Sequence, residues 1–315
     1  MGKIDAATKD FMSDNRNFAD TFNLALFGGE RVLEPETLKP LDSAALAQLF
    51  SESDSDLKQE AVQLYRDHLN SGILKSNGSI TYAAFGVENQ ADIHLAMPVR
   101  NNLYDAIYYA SQVKSLGQRN RRENRIHDSG AFLSGLTEND RLHPVITLVI
   151  YWGPKHWNAP RSIWEMLKGT DPRILKYVPN YTINLLTPRD VPELEGYHDS
   201  EFWKIMRILT GASQSRQAFQ QIFSDGNVRE MHSDTVRLMN TLLNTHIPVR
   251  KGNEVINVWK AIQEINEMYE DYGRVIEEYG RISKDYDRMS EDYQKVIEEN
   301  RKLQARLAEA GLSAD

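Results

Sequence analysis

The chain has 315 residues, of which 41% are hydrophobic and 26% are charged, a composition that predicts a folded globular protein with room for about two domains. It has no cysteine, which excludes a disulfide framework, a thiolate zinc site and a cysteine nucleophile. The most apolar run, VITLVIYW at 145–152, is too short to span a bilayer and no secretory signal is recognised, so a cytoplasmic protein without a membrane partner is predicted.

The net charge of −8 is distributed unevenly along the chain. Residues 254–315 contain 15 acidic and nine basic residues, or −6, which leaves −2 for residues 1–253. The nearly neutral part contains one basic stretch, KSLGQRNRRENR at 114–125, which lacks a hydrophobic period and predicts an exposed loop. Such a loop either contacts nucleic-acid phosphates or is a solvated insertion, and the sequence leaves both open.

The first elements predicted along the chain are a helix and a hairpin. Apolar residues at helical spacing predict a helix over 5–27, ended by Gly28 and Gly29. The segments AVQLYRDHL at 61–69 and SITYAAFGVENQ at 79–90, with the turn-forming SNGS between them, predict two antiparallel strands.

The next elements complete an α/β pattern. MPVRNNLYDAIYYASQVKSL, at 97–116, predicts a helix that lies on a sheet, and HPVITLVIYWG, at 143–153, predicts a fully buried strand. TINLLTP, at 182–188, predicts a further strand, and residues 200–247 predict helices packed on the same domain. This order predicts a central mixed sheet flanked by helices.

The last sixty residues repeat every seven: DYGRVIE, EYGRISK, DYDRMSE, DYQKVIE, ENRKLQA. The heptad is sustained over about six repeats and predicts a left-handed coiled coil. The a positions are Ile265, Tyr272, Tyr279, Tyr286, Tyr293, Asn300 and Leu307, and the d positions are Met268, Val275, Ile282, Met289, Val296 and Leu303.

The charges and neighbours of this seam indicate how it associates. The g positions are acidic and would repel each other in an antiparallel pair, which favours a parallel homodimer with Asn300 fixing the register. Apolar Tyr269, Ile276 and Ile297 at e widen the seam and leave trimers or tetramers open. The predicted domains are residues 1–199, a helical extension at 200–252 and the coiled coil at 253–315.

The end of the second predicted strand carries a polar pair, Glu88 and Gln90, which share a face because residues two apart on a strand point the same way. Asp67, in the preceding predicted strand, is expected beside Glu88 across the hairpin. Two adjacent carboxylates repel each other unless a cation joins them, and oxygen ligands suit magnesium. Alternatively, both acids lie at strand ends in solvent.

Together these segments resemble the Rpn family of recombination-promoting nucleases, also labelled putative transposases, within the PD-(D/E)XK nuclease superfamily. The resemblance covers roughly residues 8–190. The segments that carry it are FMSDNRNFADTFNLALFGGE, YRDHL, GVENQADIHLAMPVRNNLYDAIYYASQV, LHPVITLVIYWG, WNAPRSIWEML and YVPNYTINL.

The resemblance implies a site that holds Mg²⁺ or Mn²⁺. Asp67 matches the metal-binding Asp of the family and Glu88 the acid of its (D/E)-x-K element, with the Asn89 carbonyl as a further ligand. Gln90 stands where the superfamily usually has Lys. Asp20, in the first helix, resembles an acid that the superfamily often adds to the site.

Arg100 and Tyr104 match a helical motif that follows the strand in the family. Arg100 is expected either to supply the positive charge that Gln90 lacks or to pair with Asp20 or Asp105. The implied function is a divalent-metal-dependent DNA endonuclease with a role in recombination or DNA mobility, with RNA left open as a substrate. The alternative is a non-catalytic regulatory or binding protein on a decayed nuclease fold.

Overall fold

The computed structural model describes residues 2–41, 67–76, 79–191, 197–224, 226, 228–249, 254–258 and 262–309. They fall into two compact units, residues 1–262 and residues 263–315. No helix among these described residues combines the length and the apolar character that crossing a membrane requires. The three-part domain division expected from the sequence stays a prediction.

The first unit contains both helices and strands. The helices are α1 (Lys3–Met12), α2 (Asn15–Leu26), α3 (Met97–Arg122), α4 (Ser129–Ser134), α5 (Ile163–Met166), α6 (Pro172–Leu175), α7 (Glu201–Gln214), α8 (Arg216–Ser224), α9 (Ser233–Leu243) and, in the second unit, α10 (Ile262–Glu309). Short 3₁₀ turns cover Pro35–Thr37 and Pro188–Asp190. The strands are β1 (Lys39–Pro40), β2 (His68–Ser76), β3 (Ser79–Gln90), β4 (Val145–Tyr151), β5 (Asn184–Leu186), β6 (Glu230–His232) and β7 (Val255–Asn257).

Five of these strands form one mixed sheet in the order β1-β2-β3-β4-β5. β1, β2 and β3 are antiparallel neighbours, whereas β3 pairs in parallel with β4, and β4 with β5. The sheet is flanked by helices, so the prediction of an α/β protein with a central mixed sheet is confirmed.

The two faces of β3 contact different helices. Phe85 points to α2, where its ring centroid lies 5.1 Å from that of Phe22. Glu88 points to the opposite face and pairs with Arg100 of α3. β4 is buried on both faces, which explains its continuous apolar sequence. The Glu88 carboxylate therefore lies inside the protein and not at its surface.

The prediction of a single helix over 5–27 is wrong, because the chain forms two helices there, α1 and α2. The side chain of Asp14 accepts a hydrogen bond from the backbone N–H of Arg16 at 2.7 Å and caps the start of α2. An aspartate in this position satisfies N–H groups that have no partner within the helix. The apolar spacing continued across the break and concealed it.

The first strand of the hairpin is displaced from its predicted place. β2 begins at His68, so it overlaps only the end of the predicted 61–69 strand, and residues 61–66 lie outside the described residues. In the fold, a Cβ at Gly72 would lie 3.0 Å from the side chains of Leu33 and Leu38, so a larger residue there would require these side chains to shift.

The basic stretch at 114–125 was expected as a loop, and this prediction is wrong, since most of it forms the last turns of α3. Gly117 lies against the backbone of Gly135. The buried Asn120 side chain donates to the Gly135 carbonyl at 3.0 Å and to Asp140 at 2.7 Å. Because Gly117 and Asn120 occupy the packed face of the helix in place of apolar residues, the sequence lacks the hydrophobic periodicity that predicts a helix.

The segment 200–247 is helical over much of its length, as expected, but β6 interrupts it. Buried Glu201 in α7 fixes this region, because its carboxylate accepts hydrogen bonds from the backbone N–H of His232 at 2.9 Å, from the Thr235 hydroxyl and from Lys204 at 2.8 Å. Removing one partner of such a buried, hydrogen-bonded charge is destabilising, because the other charge is then left uncompensated.

The second unit contains one long helix, α10, which includes the predicted heptads. Tyr286, Met289 and Tyr293, at a and d positions, are 63–67% exposed. Pairing of this helix with another chain stays a prediction.

Candidate active site

Charged side chains from four elements meet where β3 ends. The antiparallel register pairs His68 with Val87, which places Asp67, just before β2, next to Glu88. Asp67 Oδ2 accepts the backbone N–H of Asn89 at 2.7 Å. The two carboxylates singled out in the sequence are therefore neighbours at one end of the hairpin.

Glu88 is fully buried, with 0% of its side chain exposed, and its carboxylate is 3.1 Å from Nη2 of Arg100. Arg100 also donates from Nε to the Tyr104 hydroxyl at 3.2 Å. Burial acts to lower the pKa of Arg100, but the charge of Glu88 and the contact with Tyr104 raise it overall. Because an isolated buried carboxylate is costly, the Arg100 guanidinium stabilises the ionised form of Glu88.

Arg100 was expected to supply positive charge to the site or to pair with Asp20 or Asp105. The pair with Asp20 or Asp105 is wrong, since Arg100 pairs with Glu88. Asp105 instead accepts hydrogen bonds from the Thr147 hydroxyl at 2.6 Å and from the Tyr181 hydroxyl at 2.5 Å. The structure therefore brings Arg100 to the site carboxylates.

Lys9 of α1 is a member of the cluster that sequence reasoning missed. Its Nζ lies 2.9 Å from Oδ1 of Asp67 and 3.3 Å from Oδ1 of Asp5. Burial acts to lower the pKa of Lys9, but its contacts with Asp67 and Asp5 raise it overall, so the ammonium stays charged. No motif marks Lys9, and the only signal is its place beside the buried Thr8 on an amphipathic helix.

Asn89 and Gln90 contribute differently. The Asn89 side chain faces away from Glu88 and accepts a hydrogen bond from the indole N–H of Trp152 at 2.9 Å. Its backbone amide faces Asp67, and because the amide and carbonyl of one strand residue point to the same side, the Asn89 carbonyl faces Asp67 as well. Gln90 shares the face of Glu88, and its side chain is partly buried.

Asp20 lies in a different cluster. Its carboxylate interacts with the side chain of Ser200 and with the charge of Arg31, and Arg31 in turn stacks on the ring of Tyr197 at 6.0 Å. Burial raises the pKa of Asp20, and Ser200 and Arg31 only partly offset it. The structure does not bring Asp20 to Asp67 and Glu88, so the expectation that it joins them is not supported by its contacts.

Two histidines, His68 and His94, lie beside the charged cluster. Burial lowers the pKa of His68, which also feels the charge of Asp67. Burial, and then the positive charge of Arg100, lower the pKa of His94. Both imidazoles are therefore neutral near pH 7 and add no charge to the site.

The oxygen donors of the cluster are of the chemical type that a small divalent cation prefers. Two carboxylates and a backbone carbonyl are oxygen donors, and Mg²⁺ is usually bound by one or two carboxylates and several waters. No group of three or more His, Asp or Glu side chains suited to a metal is found within the described ranges. An ion at this position would have two acidic ligands, Asp67 and Glu88. Each of them already forms an ion pair, Asp67 with Lys9 and Glu88 with Arg100.

The protein is an α/β protein with a mixed sheet, and two neighbouring acidic residues with basic partners lie at the end of its β2–β3 hairpin. Residues 131–247 match the family model described as "Putative transposase, YhgA-like". This match confirms the resemblance recognised in the sequence. It covers roughly a third of the chain and follows Asp67 and Glu88. Comparisons with curated proteins and with solved structures gave no match.

Proposed function

We propose that the chain is a divalent-metal-dependent endonuclease of the PD-(D/E)XK type that hydrolyses phosphodiester bonds of DNA in the cytoplasm. The family match supports a nuclease or DNA-mobility role in general. The observation that carries the more specific proposal is the contact of Asp67 with the amide of Asn89, beside the buried carboxylate of Glu88.

Each residue of the cluster has a defined task in this proposal. Asp67, Glu88 and the Asn89 carbonyl hold the ion, which when bound lowers the pKa of a water molecule and offsets charge on the phosphate. Arg100 supplies positive charge next to the scissile group, since the neutral amide of Gln90 cannot. Gln90 orients a water molecule or a phosphate oxygen through hydrogen bonds.

Tyr104 acts on this reaction through Arg100. Its hydroxyl accepts from Nε of Arg100, and the guanidinium carbon lies 5.5 Å from the centre of its ring. These two contacts restrict the long Arg100 side chain, which lowers the entropy lost when it engages a phosphate. Tyr104 is therefore a positioning residue.

Cleavage of plasmid DNA with Mg²⁺ or Mn²⁺ tests the proposal. The wild-type chain is expected to nick the plasmid, and Asp67→Asn and Glu88→Gln each to reduce the rate by about a hundredfold or more, because each removes an ion ligand. Asp171→Asn is the matched control, since Asp171 forms an exposed pair with Arg173 outside the cluster. Cleavage that persists in both site variants would refute the proposed site.

A matched RNA substrate extends the same assay. A site that engages the phosphate through an ion does not by itself distinguish the two sugars, so the ratio of DNA to RNA cleavage assigns the substrate. A higher rate on RNA would replace the DNA part of the proposal and leave the chemistry unchanged.

A second candidate function is a non-catalytic regulatory or binding protein on a decayed nuclease fold. Gln90 favours it because the charge usually provided at that position is missing. The salt bridges from Lys9 and Arg100 also favour it, since they neutralise both carboxylates without an ion. This candidate predicts stable folding without Mg²⁺ and no cleavage of DNA or RNA.

We further propose that α10 associates with a second copy as a parallel two-stranded coiled coil. Exposed tyrosine, methionine and aliphatic side chains at a and d support this, because they leave a long apolar stripe on the helix. Two nuclease units joined in this way would act on both strands of one duplex.

A further inference from the structure

Lys9 occupies a position between an inner and an outer carboxylate. Asp67, the inner partner, has a side chain that is 8% exposed, whereas the side chain of Asp5, one helical turn before Lys9, is 33% exposed. The ammonium contacts both, at 2.9 Å and 3.3 Å. Lys9 can therefore leave Asp67 and still keep an acidic partner.

The two oxygens of Asp67 have different partners. Oδ2 accepts the amide of Asn89, which holds the carboxylate against the end of β3. Oδ1 is the atom that Lys9 contacts. A divalent cation that approaches Asp67 therefore meets Oδ1 and the ammonium together, and the two like charges repel each other.

We infer that Lys9 is an exchangeable counterion of the site, which neutralises Asp67 without a divalent ion and transfers to Asp5 when an ion binds. This inference rests on the proposed function, because it assumes that Asp67 is an ion ligand. An acid four residues before a lysine on a helix is the favourable order for an ion pair, and the lysine side chain is flexible enough to change partners.

The exchange has two consequences for the site. Without the ion, Lys9 pairs with Asp67 and Arg100 with Glu88, so each of these two acids has a positively charged partner. With the ion, Lys9 remains next to Asp5, and the site gains positive charge where a polyanionic substrate approaches. Lys9 thus competes with the ion for Asp67 and lowers the affinity of the site for the ion.

Calorimetric titration of the full chain with Mg²⁺ tests the exchange. Lys9→Met is expected to raise the affinity about three- to tenfold, because it removes a competitor for a partly buried carboxylate. Lys9→Arg keeps the charge and is expected to stay near wild type. Lys75→Met is the matched control, since Lys75 pairs with Glu34 at 2.6 Å outside the site, and its affinity should not change.

Asp5→Asn separates exchange from simple electrostatics. In the wild-type background it is expected to lower the affinity, because Lys9 loses its alternative partner. In the Lys9→Met background it is expected to have no effect, since Asp5 acts only through Lys9. An equal decrease in both backgrounds, the additive result, would overturn the exchange. Asp5 is partly exposed, so Asp5→Asn is expected to fold, and Lys9→Gln provides the second background if Lys9→Met does not fold.

Asp67→Asn distinguishes failure of this inference from failure of the proposed function. Mg²⁺ binding retained in Asp67→Asn would overturn both, because Asp67 would not be a ligand. Binding lost in Asp67→Asn together with an unchanged or lower affinity of Lys9→Met would overturn the role of Lys9 alone.

Discussion

The two units of the chain depart from the usual distribution of side chains in opposite ways. The first unit buries a carboxylate, with Glu88 fully enclosed, although an unpaired buried charge is costly. The second unit exposes large apolar groups along α10, including Tyr286 and Met289. In the first unit the guanidinium of Arg100 offsets this cost, and in the second unit the proposed second copy of α10 would offset it.

The kind of partner follows from the kind of group. A buried acid with Arg100 and Lys9 around the cluster is compensated by positive charge, and its proposed partner is an ion. An exposed apolar stripe is compensated by burial, and its proposed partner is a second α10. Substitutions in one unit can remove its proposed partner without disturbing the other unit, so the two proposals can be tested separately.

The largest expected effect is on self-association. Ile282→Asp with Met289→Asp places two charges on the apolar stripe and should convert a dimer to a monomer, because buried unpaired charges are not tolerated in a coiled-coil seam. Sedimentation should give twice the chain mass of 36.1 kDa for the wild type and the single chain mass for the variant.

Lys284→Asp is the control for this prediction, since it introduces the same residue at an f position on the outer face of the helix. It should remain dimeric. A wild-type chain that sediments as a monomer, or a double variant that stays dimeric, contradicts the coiled coil and leaves the first unit unaffected. A mass of three or four chains would replace only the predicted number of strands.

A smaller effect is expected from removing the counterion of Glu88. Arg100→Gln should lower the free energy of unfolding by about 3 kcal/mol, because it removes a positively charged partner of the buried Glu88 carboxylate. The double variant Arg100→Gln with Glu88→Gln should recover much of that loss, since no buried charge then remains. Urea denaturation measures all three proteins.

Arg173→Gln is the comparison for this measurement. Its pair with Asp171 is exposed, so its loss should change the free energy of unfolding by less than about 1 kcal/mol. If Arg100→Gln is no more destabilising than Arg173→Gln, the Glu88 pair does not stabilise the first unit.

The smallest effect is expected at Asp20. Because burial raises its pKa, the folded state keeps the proton to higher pH than the unfolded state, and stability falls as pH rises through that range. Asp20→Asn should therefore be at least as stable as the wild type near about pH 7, by less than about 1 kcal/mol, with the difference disappearing near about pH 4.

Urea denaturation at both pH values tests this expectation, and the cleavage assay on the same variant tests the site. Asp20→Asn should retain cleavage, because the contacts of Asp20 are with Ser200 and Arg31. A loss of cleavage with unchanged stability would return Asp20 to the site, as the resemblance first implied.

Much of the sheet could be predicted from the sequence because its strands have strong local signals. The apolar run of β4 and the final residues of β3 were placed correctly. β2 was displaced and the end of α3 was taken for a loop because glycine and asparagine there serve tertiary packing. Local propensity carries no information about such contacts.

The site divides in the same way. The sequence could predict that Asp67 lies beside Glu88, because the turn of a hairpin determines which residues of its two strands face each other. It could not predict the place of Lys9, because Lys9 lies on a separate helix and its contact with Asp67 depends on how α1 packs. Asp20 shows the converse, since a motif resemblance suggested a role while the fold places its carboxylate beside Ser200 and Arg31.

The most direct test of the shared ion is anomalous diffraction from crystals of the full chain grown with Mn²⁺. The account predicts one peak within about 2.3 Å of an oxygen of Asp67 and of an oxygen of Glu88, and no peak there in Asp67→Asn. A peak that contacts neither carboxylate, or no peak in the wild-type protein, would contradict it.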